Sequence, residues 1–252
     1  VYFAGSDQIW NPMFSNGKDP AFYLDFVQHG VRASYAASFA VDEFPQALRQ
    51  TTAQYLGRFD HIAVRETSGL SVLKTLGITD AVSVLDPVFL LPRAQWAAMA
   101  ERPEGCEDPY LLVYDFDNSA SLRALAERIA AETGWRIYSV LDLPYAERCF
   151  SLCGPETFLG LVQGAAFVLS NSFHATAFSV IFEREFAVVE RTEKINTRMR
   201  DFTALLGLSD HMITETASVP LHTDWTQVER RLAAEILQSK AYIDEVLRDG
   251  KK

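Results

Sequence analysis

Two side chains in the second half of the sequence, those of His174 and Lys194, can between them move a proton and hold an anion. They lie 20 residues apart, and His174 stands in the segment "LSNSFHATAFSVIF" (169–182), which changes from polar to apolar within four residues. An imidazole changes its charge near neutral pH, and an ammonium group binds phosphate or carboxylate oxygens as a point charge. Arg198 adds a further cation close by in the chain. These residue types indicate acid–base chemistry on a small anion; the alternative is a packed histidine beside a solvated charged turn.

The first half contributes a guanidinium and a polar turn. Arg65 follows the apolar run "HIAV", and its planar fork can bind two oxygens of a carboxylate or phosphate. A pair with Glu66, or a helix cap, is the alternative role. The stretch "GSDQIWNP" (5–12) supplies Ser6, Asp7 and Gln8. In this turn Trp10 is expected either to be buried or to stack under a sugar ring. By itself the stretch could be an ordinary Asx-type turn.

The elements that position these side chains follow from the hydrophobic pattern. Short β-rich runs alternate with helical patterns, which is typical of βαβ units and predicts an α/β fold with a parallel sheet. Strands are predicted at 1–5, 32–37, 61–65, 81–86, 110–116, 136–141, 166–170 and 186–190. Helices are predicted at 44–57, 68–76, 93–100, 119–133, 155–163, 173–183 and 197–206, and from Asp224 as N-cap to about Leu247.

Ligands of open parallel sheets bind at the carboxyl ends of the strands, where the following loops and helix N-termini meet. Asn171 or Ser172 can cap a helix there, and His174 then lies in its first turn, where exposed N–H groups attract an anion. Arg65 follows a strand of the first half. We therefore expect Arg65, His174 and Lys194 to share one anion-binding crevice.

The polar stretch "ERPEGCEDP" (101–109) interrupts the apolar pattern and predicts a boundary between two domains, 1–103 and 104–252. The pattern predicts two Rossmann-like halves that face each other across a cleft. The first half begins with a strand and has no preceding βα unit, so we expect either a piece of a longer protein or a partner that covers the exposed sheet edge.

Composition excludes several classes of function. The 252 residues carry a net charge of −10, so nucleic acid would be repelled over most of the surface. Because no apolar run approaches roughly 18 residues and no basic leader begins the chain, we expect a soluble, cytoplasmic protein. Three cysteines are too few for a disulfide framework or a four-ligand zinc site. The phosphate-loop motifs G-x-G-x-x-G and G-x-x-x-x-G-K-[ST] are absent, which argues against nicotinamide dehydrogenases and P-loop enzymes.

The sequence resembles the polysaccharide pyruvyl transferase family. The resemblance rests on six ordered motifs and spans the chain to about residue 208: "GSDQIWNP" (5–12), "SYAASF" (34–39), "VRE" (64–66), "LDPVFLL" (85–91), "SNSFHATAFSVIF" (170–182) and "NTRMRDFTALLGL" (196–208). Two features depart from the family pattern. Ala175 stands where the family has glycine, and the βα unit with which members usually begin is missing.

The resemblance implies a fold like that of GT-B glycosyltransferases and transfer of a pyruvyl group from phosphoenolpyruvate to a saccharide as a ketal. It implies that Arg65, His174 and Lys194 bind the donor. His174 would act as general acid and Asp7 would orient or deprotonate an acceptor hydroxyl. Ser6, Gln8, Asn171, Ser172 and Arg198 complete the expected substrate-binding set. No metal is expected, nor any cofactor besides phosphoenolpyruvate as co-substrate; a lipid-linked acceptor would bring peripheral membrane contact.

Two alternatives stay open on the sequence alone. One is a nucleotide-sugar glycosyltransferase with the same architecture. The other is a non-catalytic, truncated remnant of the family, because the missing unit could carry part of the acceptor site. The acceptor sugar, its linkage and the oligomeric state have no signature in the sequence.

Overall fold

The computed structural model describes residues 1–193, 195–216, 219 and 222–251, which form a mixed α/β fold. The chain divides into two compact units. Unit 1 comprises Val1–Leu90, Lys194–Phe202 and Glu229–Lys252, and unit 2 comprises Leu91–Glu193 and Thr203–Val228. The strands, in chain order, are β1 (Tyr2–Ala4), β2 (Arg32–Ser34), β3 (Ala63–Val64), β4 (Val82–Ser83), β5 (Tyr110–Tyr114), β6 (Arg136–Ser139), β7 (Arg148–Cys149), β8 (Phe167–Ser170), β9 (Phe186–Val189) and β10 (Met212–Ile213).

The α-helices alternate with the strands along most of the chain. They are α1 (Gln46–Leu56), α2 (Thr67–Thr75), α3 (Arg93–Met99), α4 (Ala120–Thr133), α5 (Pro155–Gly164), α6 (Phe173–Phe182), α7 (Thr197–Leu206) and α8 (Trp225–Asp249). Short 3-10 turns cover Asn16–Lys18, Pro20–Tyr23, Pro87–Leu90 and Ser209–His211. The predicted N-cap of α8 is confirmed, since Asp224 Oδ1 accepts from the N–H of Gln227 at 3.1 Å.

Unit 1 contains four short parallel strands. β1 pairs with β2 and β3 pairs with β4, and isolated parallel bridges from Ala33 to His61 and from Ala37 to Val64 connect the two pairs. Trp10 lies in the largest core cluster of this unit, is 0% exposed, stacks on Tyr23 and donates its indole N–H to the Phe22 carbonyl at 3.1 Å. The predicted alternative that Trp10 stacks under a sugar ring is therefore wrong, because packing and a backbone acceptor bury its whole side chain.

Six parallel strands form the sheet of unit 2, in the order β10-β9-β8-β5-β6-β7. The predicted parallel sheet is thus confirmed. Strands β5, β8 and β9 are almost entirely buried, as expected for parallel strands covered on both faces. From β5 the chain adds strands on one side of the sheet and then, from β8, on the other. The carboxyl ends of β5 and β8 therefore form a topological switch point, the usual ligand position in such sheets.

The compact units divide the chain differently from the predicted domains 1–103 and 104–252. The stretch 101–109 is not a spacer, because the N–H of Glu101 donates to the Glu156 carbonyl at 2.8 Å and its own carbonyl lies against Gly160 of α5. It belongs to unit 2. The assignment of an acceptor side and a donor side stays a prediction.

From Glu229 onward, α8 belongs to unit 1, which a single boundary in the sequence could not express. Tyr242 and Val246 pack in one buried cluster with residues of β2 and β3, and the Tyr242 hydroxyl donates to the Ser34 carbonyl at 2.7 Å. Ser239 Oγ accepts from the N–H of Leu85 at 2.9 Å. The helix thus supplies hydrogen-bond partners to backbone groups near the strands of unit 1.

Candidate active site

The end of β1 leads into a turn that requires glycine. Gly5 has a φ of 140°, and a methyl group at this position would lie 2.0 Å from the carbonyl oxygen of Tyr35. No side chain fits there, so the backbone approaches its neighbour closely. Asp7 follows with a left-handed φ of 59°, which aspartate tolerates better than most residues. This turn sets Asp7 just beyond the carboxyl end of β1.

Arg65 follows β3 directly, and its guanidinium lies between two carboxylates. Nη1 donates to Oδ2 of Asp86 at 2.5 Å, and Nη2 donates to Oδ1 of Asp7 at 3.0 Å. The side chains of Arg65 and Asp86 are 2% and 1% exposed, whereas that of Asp7 is 62% exposed. Burial opposes the charge of Arg65, but the surrounding carboxylates outweigh it and raise the pKa of Arg65 above its ordinary value.

Arg198 reaches the same carboxylate from the first half of α7. Its Nη1 lies 3.3 Å from Oδ1 of Asp7. Two anchors hold this part of α7 within unit 1. Arg200 forms a two-fold hydrogen bond with Asp42 at 2.7 and 2.9 Å, and Asp201 Oδ2 accepts from the N–H of Ser68 at 2.7 Å, at the N-terminus of α2. These contacts hold the start of α7 so that Arg198 lies beside Asp7. They join residues that are distant in the sequence, so no local pattern predicts them.

Glu66, the neighbour of Arg65, has a buried carboxyl group that binds the loop after β2. Its Oε1 accepts from Ser38 Oγ and from the N–H groups of Phe39 and Ala40, at 2.9 to 3.0 Å. Burial raises the pKa of Glu66 above its ordinary value, although Arg65 and these donors act in the opposite direction. The carboxyl closes the loop after β2 and is 2% exposed.

Ser6 and Gln8 have different surroundings in the turn. Ser6 Oγ donates to Oδ2 of Asp86 at 3.2 Å, so Ser6 joins the group formed by Asp7 and Arg65. Gln8 Oε1 accepts from Asn11 Nδ2 at 2.7 Å, and Asn11 Oδ1 accepts from the N–H of Met13 at 2.9 Å, as in an Asx turn. The Asx turn weighed for this stretch is present.

In unit 2, His174 lies in the first turn of α6, which begins just after β8 at the switch point. The N-cap is Ser172, whose Oγ accepts from the N–H of Ala175 at 3.4 Å. Of the two predicted caps, Ser172 is therefore correct. The His174 ring is half-buried and packs edge-on against Phe173, with 5.5 Å between the ring centroids. An imidazole at this place stands beside the exposed N–H groups of a helix start, which favour an anion.

Asn171 connects the loops that follow β8 and β5. Its Nδ2 donates to Asp115 Oδ1 at 2.7 Å, and its Oδ1 accepts from the N–H of Phe116 at 2.9 Å. Asp115 is 1% exposed and also accepts from the N–H groups of Asp117 and Ser119. Both functional groups of the Asn171 amide thus bind the neighbouring loop; its predicted contact with substrate stays a prediction.

A second carboxylate of the same loop binds the segment after β9. Asp117 accepts from Arg191 Nε at 3.2 Å and from the N–H and Oγ1 of Thr192 at 3.0 and 3.3 Å. Arg191 also pairs with Glu193, and its guanidinium lies 5.0 Å from the centroid of the Phe116 ring. The loops after β5, β8 and β9 are therefore joined by hydrogen bonds at one edge of the sheet.

The structure describes two groups of predicted site residues, one in each unit. Unit 1 holds Ser6, Asp7, Arg65 and Arg198 in one hydrogen-bonded group, with Asp86 at its base. Unit 2 holds Asn171, Ser172 and His174 at the switch point. Lys194 lies outside the described residues. The convergence of Arg65, His174 and Lys194 on a single ligand stays a prediction, as do the roles assigned to them.

Comparison with known families gives a match to the family model described as polysaccharide pyruvyl transferase, over residues 1–193. The chain belongs to the polysaccharide pyruvyl transferase family. None of the curated proteins matches it. The match includes five of the six motifs named above, and "NTRMRDFTALLGL" (196–208) lies beyond it. Membership of this family makes the protein a transferase and implies a saccharide acceptor.

Two further features bear on this transferase. Within the part of the chain that the structure describes, no helix combines the length and the apolar character that crossing a bilayer demands. Among residues 1–193, 195–216, 219 and 222–251, no three His, Cys, Asp or Glu side chains are placed to hold a metal ion. The expectation that the reaction needs no metal stays a prediction.

A cavity of about 320 Å³ lies in unit 2. Its described lining comprises residues 206–208, 210–211, 222–224 and 227–228. It includes His211, whose Nδ1 bonds the Phe186 carbonyl at 2.9 Å. Burial lowers the pKa of His211, so the ring is neutral near pH 7. No predicted site residue is among the described residues that line this cavity, and it enters no step of the chemistry below.

Sequence reasoning missed Asp115 and Asp117 as parts of the switch-point edge. A signal was available for Asp117, because it directly follows the strand predicted at 110–116, as Asn171 follows another; Asp115 was placed inside that predicted strand, which ends at Tyr114 in the structure. The strand-end rule that selected Asn171 therefore applies to Asp117, and it reaches Asp115 only once the observed end of β5 is known. Asp42 and Asp201 had no such signal, since each acts on a partner distant in sequence.

Proposed function

We propose that this family member transfers a pyruvyl group from phosphoenolpyruvate to a saccharide of a cell-surface or exopolysaccharide precursor. The product is a ketal, and phosphate is released. One observation carries the proposal: in a chain of this family, His174 lies in the first turn of α6 at the switch point of a parallel sheet. A GT-B-like fold belongs to the proposal on the strength of the sequence resemblance.

Phosphoenolpyruvate carries a carboxylate and a phosphate on neighbouring atoms, so its binding site must supply positive charge and N–H donors. The start of α6 supplies N–H groups beside His174. Lys194 would bind the phosphate or the carboxylate as a point charge. Arg65 and Arg198 both form ion pairs with Asp7, and Arg65 forms a second ion pair with Asp86. The donor therefore binds, in our proposal, chiefly through His174 and Lys194, with the guanidiniums as supporting charge.

The reaction balances without a change of oxidation state. A proton adds to the methylene carbon of the donor, and the first sugar hydroxyl bonds to the adjacent carbon and loses its proton. A second hydroxyl of the saccharide then bonds to the same carbon while the C–O bond to phosphate breaks. Of the two hydroxyl protons, one ends on the new methyl group and one on phosphate. His174 would deliver the methylene proton or protonate the leaving phosphate, as general acid.

Asp7 is the exposed carboxylate of its group and is suited to an acceptor hydroxyl. Two guanidiniums hold its Oδ1 at 3.0 and 3.3 Å, which fixes the orientation of the side chain. We assign it the orientation of a sugar hydroxyl, with proton abstraction as the stronger form of the same role. Ser6, Gln8, Asn171 and Ser172 remain in the proposed substrate-binding set.

The test is phosphate release from phosphoenolpyruvate in the presence of free and lipid-linked glycans. We expect release with a matching acceptor, loss of release in Lys194→Ala and His174→Ala, and normal release in the exposed controls Lys240→Ala and His29→Ala. Phosphoenolpyruvate at 100 times its Kd should stabilise the wild-type protein by about 2.7 kcal/mol. Turnover of sugar nucleotides with none of phosphoenolpyruvate would instead assign a glycosyltransferase.

A further inference from the structure

The segment Asp115–Asp117 follows β5 at the centre of the unit 2 sheet and carries a carboxylate on each side of Phe116. Each carboxylate binds a different loop. Asp115 binds the loop after β8, and Asp117 binds the segment after β9. These are the two segments that lead, within a few residues, to His174 and Lys194.

The joint at Asp115 leaves the loop before α6 little freedom. Its Oδ1 accepts from Asn171 Nδ2 at 2.7 Å, and its Oδ2 accepts from the N–H of Ser119 at 2.7 Å. Asn171 in return accepts from the N–H of Phe116 at 2.9 Å. Asn171 and Asp115 are buried, and two opposed hydrogen bonds between the loops fix both the distance and the rotation of this loop, three residues before His174.

The joint at Asp117 takes three donors from two consecutive residues. Arg191 Nε and the N–H and hydroxyl of Thr192 all point at this one carboxylate, whose side chain is 9% exposed. The Arg191 guanidinium lies over Phe116 as well. Charge-assisted bonds of this kind are stronger than neutral ones, so the backbone at residue 192 is held two positions before Lys194.

We infer that Asp115 and Asp117 are positioning residues of the donor site: Asp115 sets the place of His174, and Asp117 sets the place of the chain that enters Lys194. The inference rests on the proposed function, because it takes His174 and Lys194 as the groups that meet the donor. A displacement of about 1 Å at a reacting group can cost up to about 100-fold in rate. One strand end thus pre-organises two segments that carry the chemistry.

The first test is a double-mutant cycle with Asp117→Asn, which keeps the shape but replaces one carboxylate oxygen by an N–H₂ group, so that either Arg191 or Thr192 loses its acceptor. We expect the Kd for phosphoenolpyruvate to rise by up to about tenfold, because binding must then order the chain that leads to Lys194. In a Lys194→Ala background the same change should add nothing, because Asp117 acts through that residue. Asp142→Asn, at an exposed aspartate after β6, is the matched control and should leave the Kd unchanged.

The second arm addresses Asp115. Asp115→Asn should shift the pH profile of kcat/KM, because His174 is displaced, and should not change the residual rate in a His174→Ala background. A purely structural role would lower the unfolding temperature and leave the pH profile in place. Should Asp117→Asn fail to fold, Thr192→Val removes only the hydroxyl contact with Asp117, and we expect a smaller rise in the same Kd.

Deuterium exchange of the amides of residues 191–193, measured without ligand, separates the inference from the proposed function. Faster exchange in Asp117→Asn than in Asp142→Asn would show that the hydrogen bonds of Asp117 hold residues 191–193 in place, whatever the ligand is. Absence of phosphoenolpyruvate binding by the wild-type protein would defeat the proposed function alone. Equal exchange in the two variants, or a wild-type Kd in Asp117→Asn, would overturn the inference.

Discussion

Arg65 and Asp86 form a buried ion pair in which Nη1 and Oδ2 are 2.5 Å apart and the two side chains are 2% and 1% exposed. Arg65→Ala leaves Asp86 charged and buried without its closest cation. Because breaking one side of a buried pair is costly, we expect the free energy of unfolding to fall by about 3 to 5 kcal/mol, measured by urea denaturation.

The exposed pair of Arg58 and Asp25 is the matched control for this change. Arg58→Ala should alter the free energy of unfolding by about 1 kcal/mol or less, because water and salt screen a surface pair. Equal effects of the two substitutions would contradict the buried role of Arg65. The same reasoning makes Lys194→Ala a cleaner probe of donor binding than Arg65→Ala, whose ligand affinity would be confounded by instability.

Glu66 should make stability depend on pH in a particular direction. Its pKa is raised above the ordinary 4.5, so the folded state keeps the proton longer than the unfolded state does. The associated stability is fully present below 4.5 and is lost as the pH rises from there through the folded-state pKa. Glu66→Gln stays neutral and keeps an Oε1 acceptor, so the wild-type protein should lose stability relative to this variant as the pH rises.

Urea midpoints of wild type and Glu66→Gln across a pH series check this expectation. The exposed Glu43→Gln serves as the control and should run parallel to the wild type. A difference between wild type and Glu66→Gln that stays constant from about pH 4.5 upward would mean that burial does not govern this carboxyl.

Ser239 satisfies a buried backbone group from a distant helix. Its Oγ accepts from the N–H of Leu85 at 2.9 Å and donates to the Glu235 carbonyl at 2.8 Å. Ser239→Ala leaves that N–H without its acceptor, and we expect a loss of about 1 to 3 kcal/mol in the free energy of unfolding. Leu237→Ala on the same helix, at a residue that is 70% exposed, should be nearly neutral. Similar losses in both would show that the hydrogen bond is not the cause.

Gly160 tests packing against helix propensity in α5. Alanine is favoured over glycine inside a helix by about 1 kcal/mol, so propensity alone predicts a higher melting temperature for Gly160→Ala. The new methyl group, however, would lie 2.1 Å from the carbonyl oxygen of Glu101, a backbone atom. We therefore expect a lower melting temperature, measured by calorimetry; a rise would show that residues 101–102 move aside at little cost.

Local patterns in the sequence predicted most elements closely. The helix predicted at 119–133 and ending at Gly134 is found as Ala120–Thr133, with Gly134 in the left-handed conformation at φ 73°. The predicted strand 166–170 is found as Phe167–Ser170. These predictions succeed because periodicity and end signals act over a few residues. The two-residue strands β7 and β10 were missed, because no β-rich apolar run marks them, whereas such runs marked the equally short β3 and β4.

The candidate site divides in the same way. Sequence reasoning reached Asp7, Arg65 and His174, because each follows a strand and the rule for parallel sheets concerns strand ends. It did not reach the bond from Asp117 to Thr192, across 75 residues, or that from Asp201 to Ser68, across 133. Such partners are chosen by the path of the whole chain.

The sequence by itself determined the order of strands and helices, the parallel α/β class and the family. Only the tertiary structure decided that Trp10 is a core residue, that Asn171 joins two loops, and that parts of α7 and α8 belong to the first unit. The physical reason is the distance along the sequence over which each property is determined. Backbone geometry and side-chain periodicity are local properties that a sequence displays directly, whereas burial and hydrogen-bond partners depend on which distant segments the folded chain brings into contact.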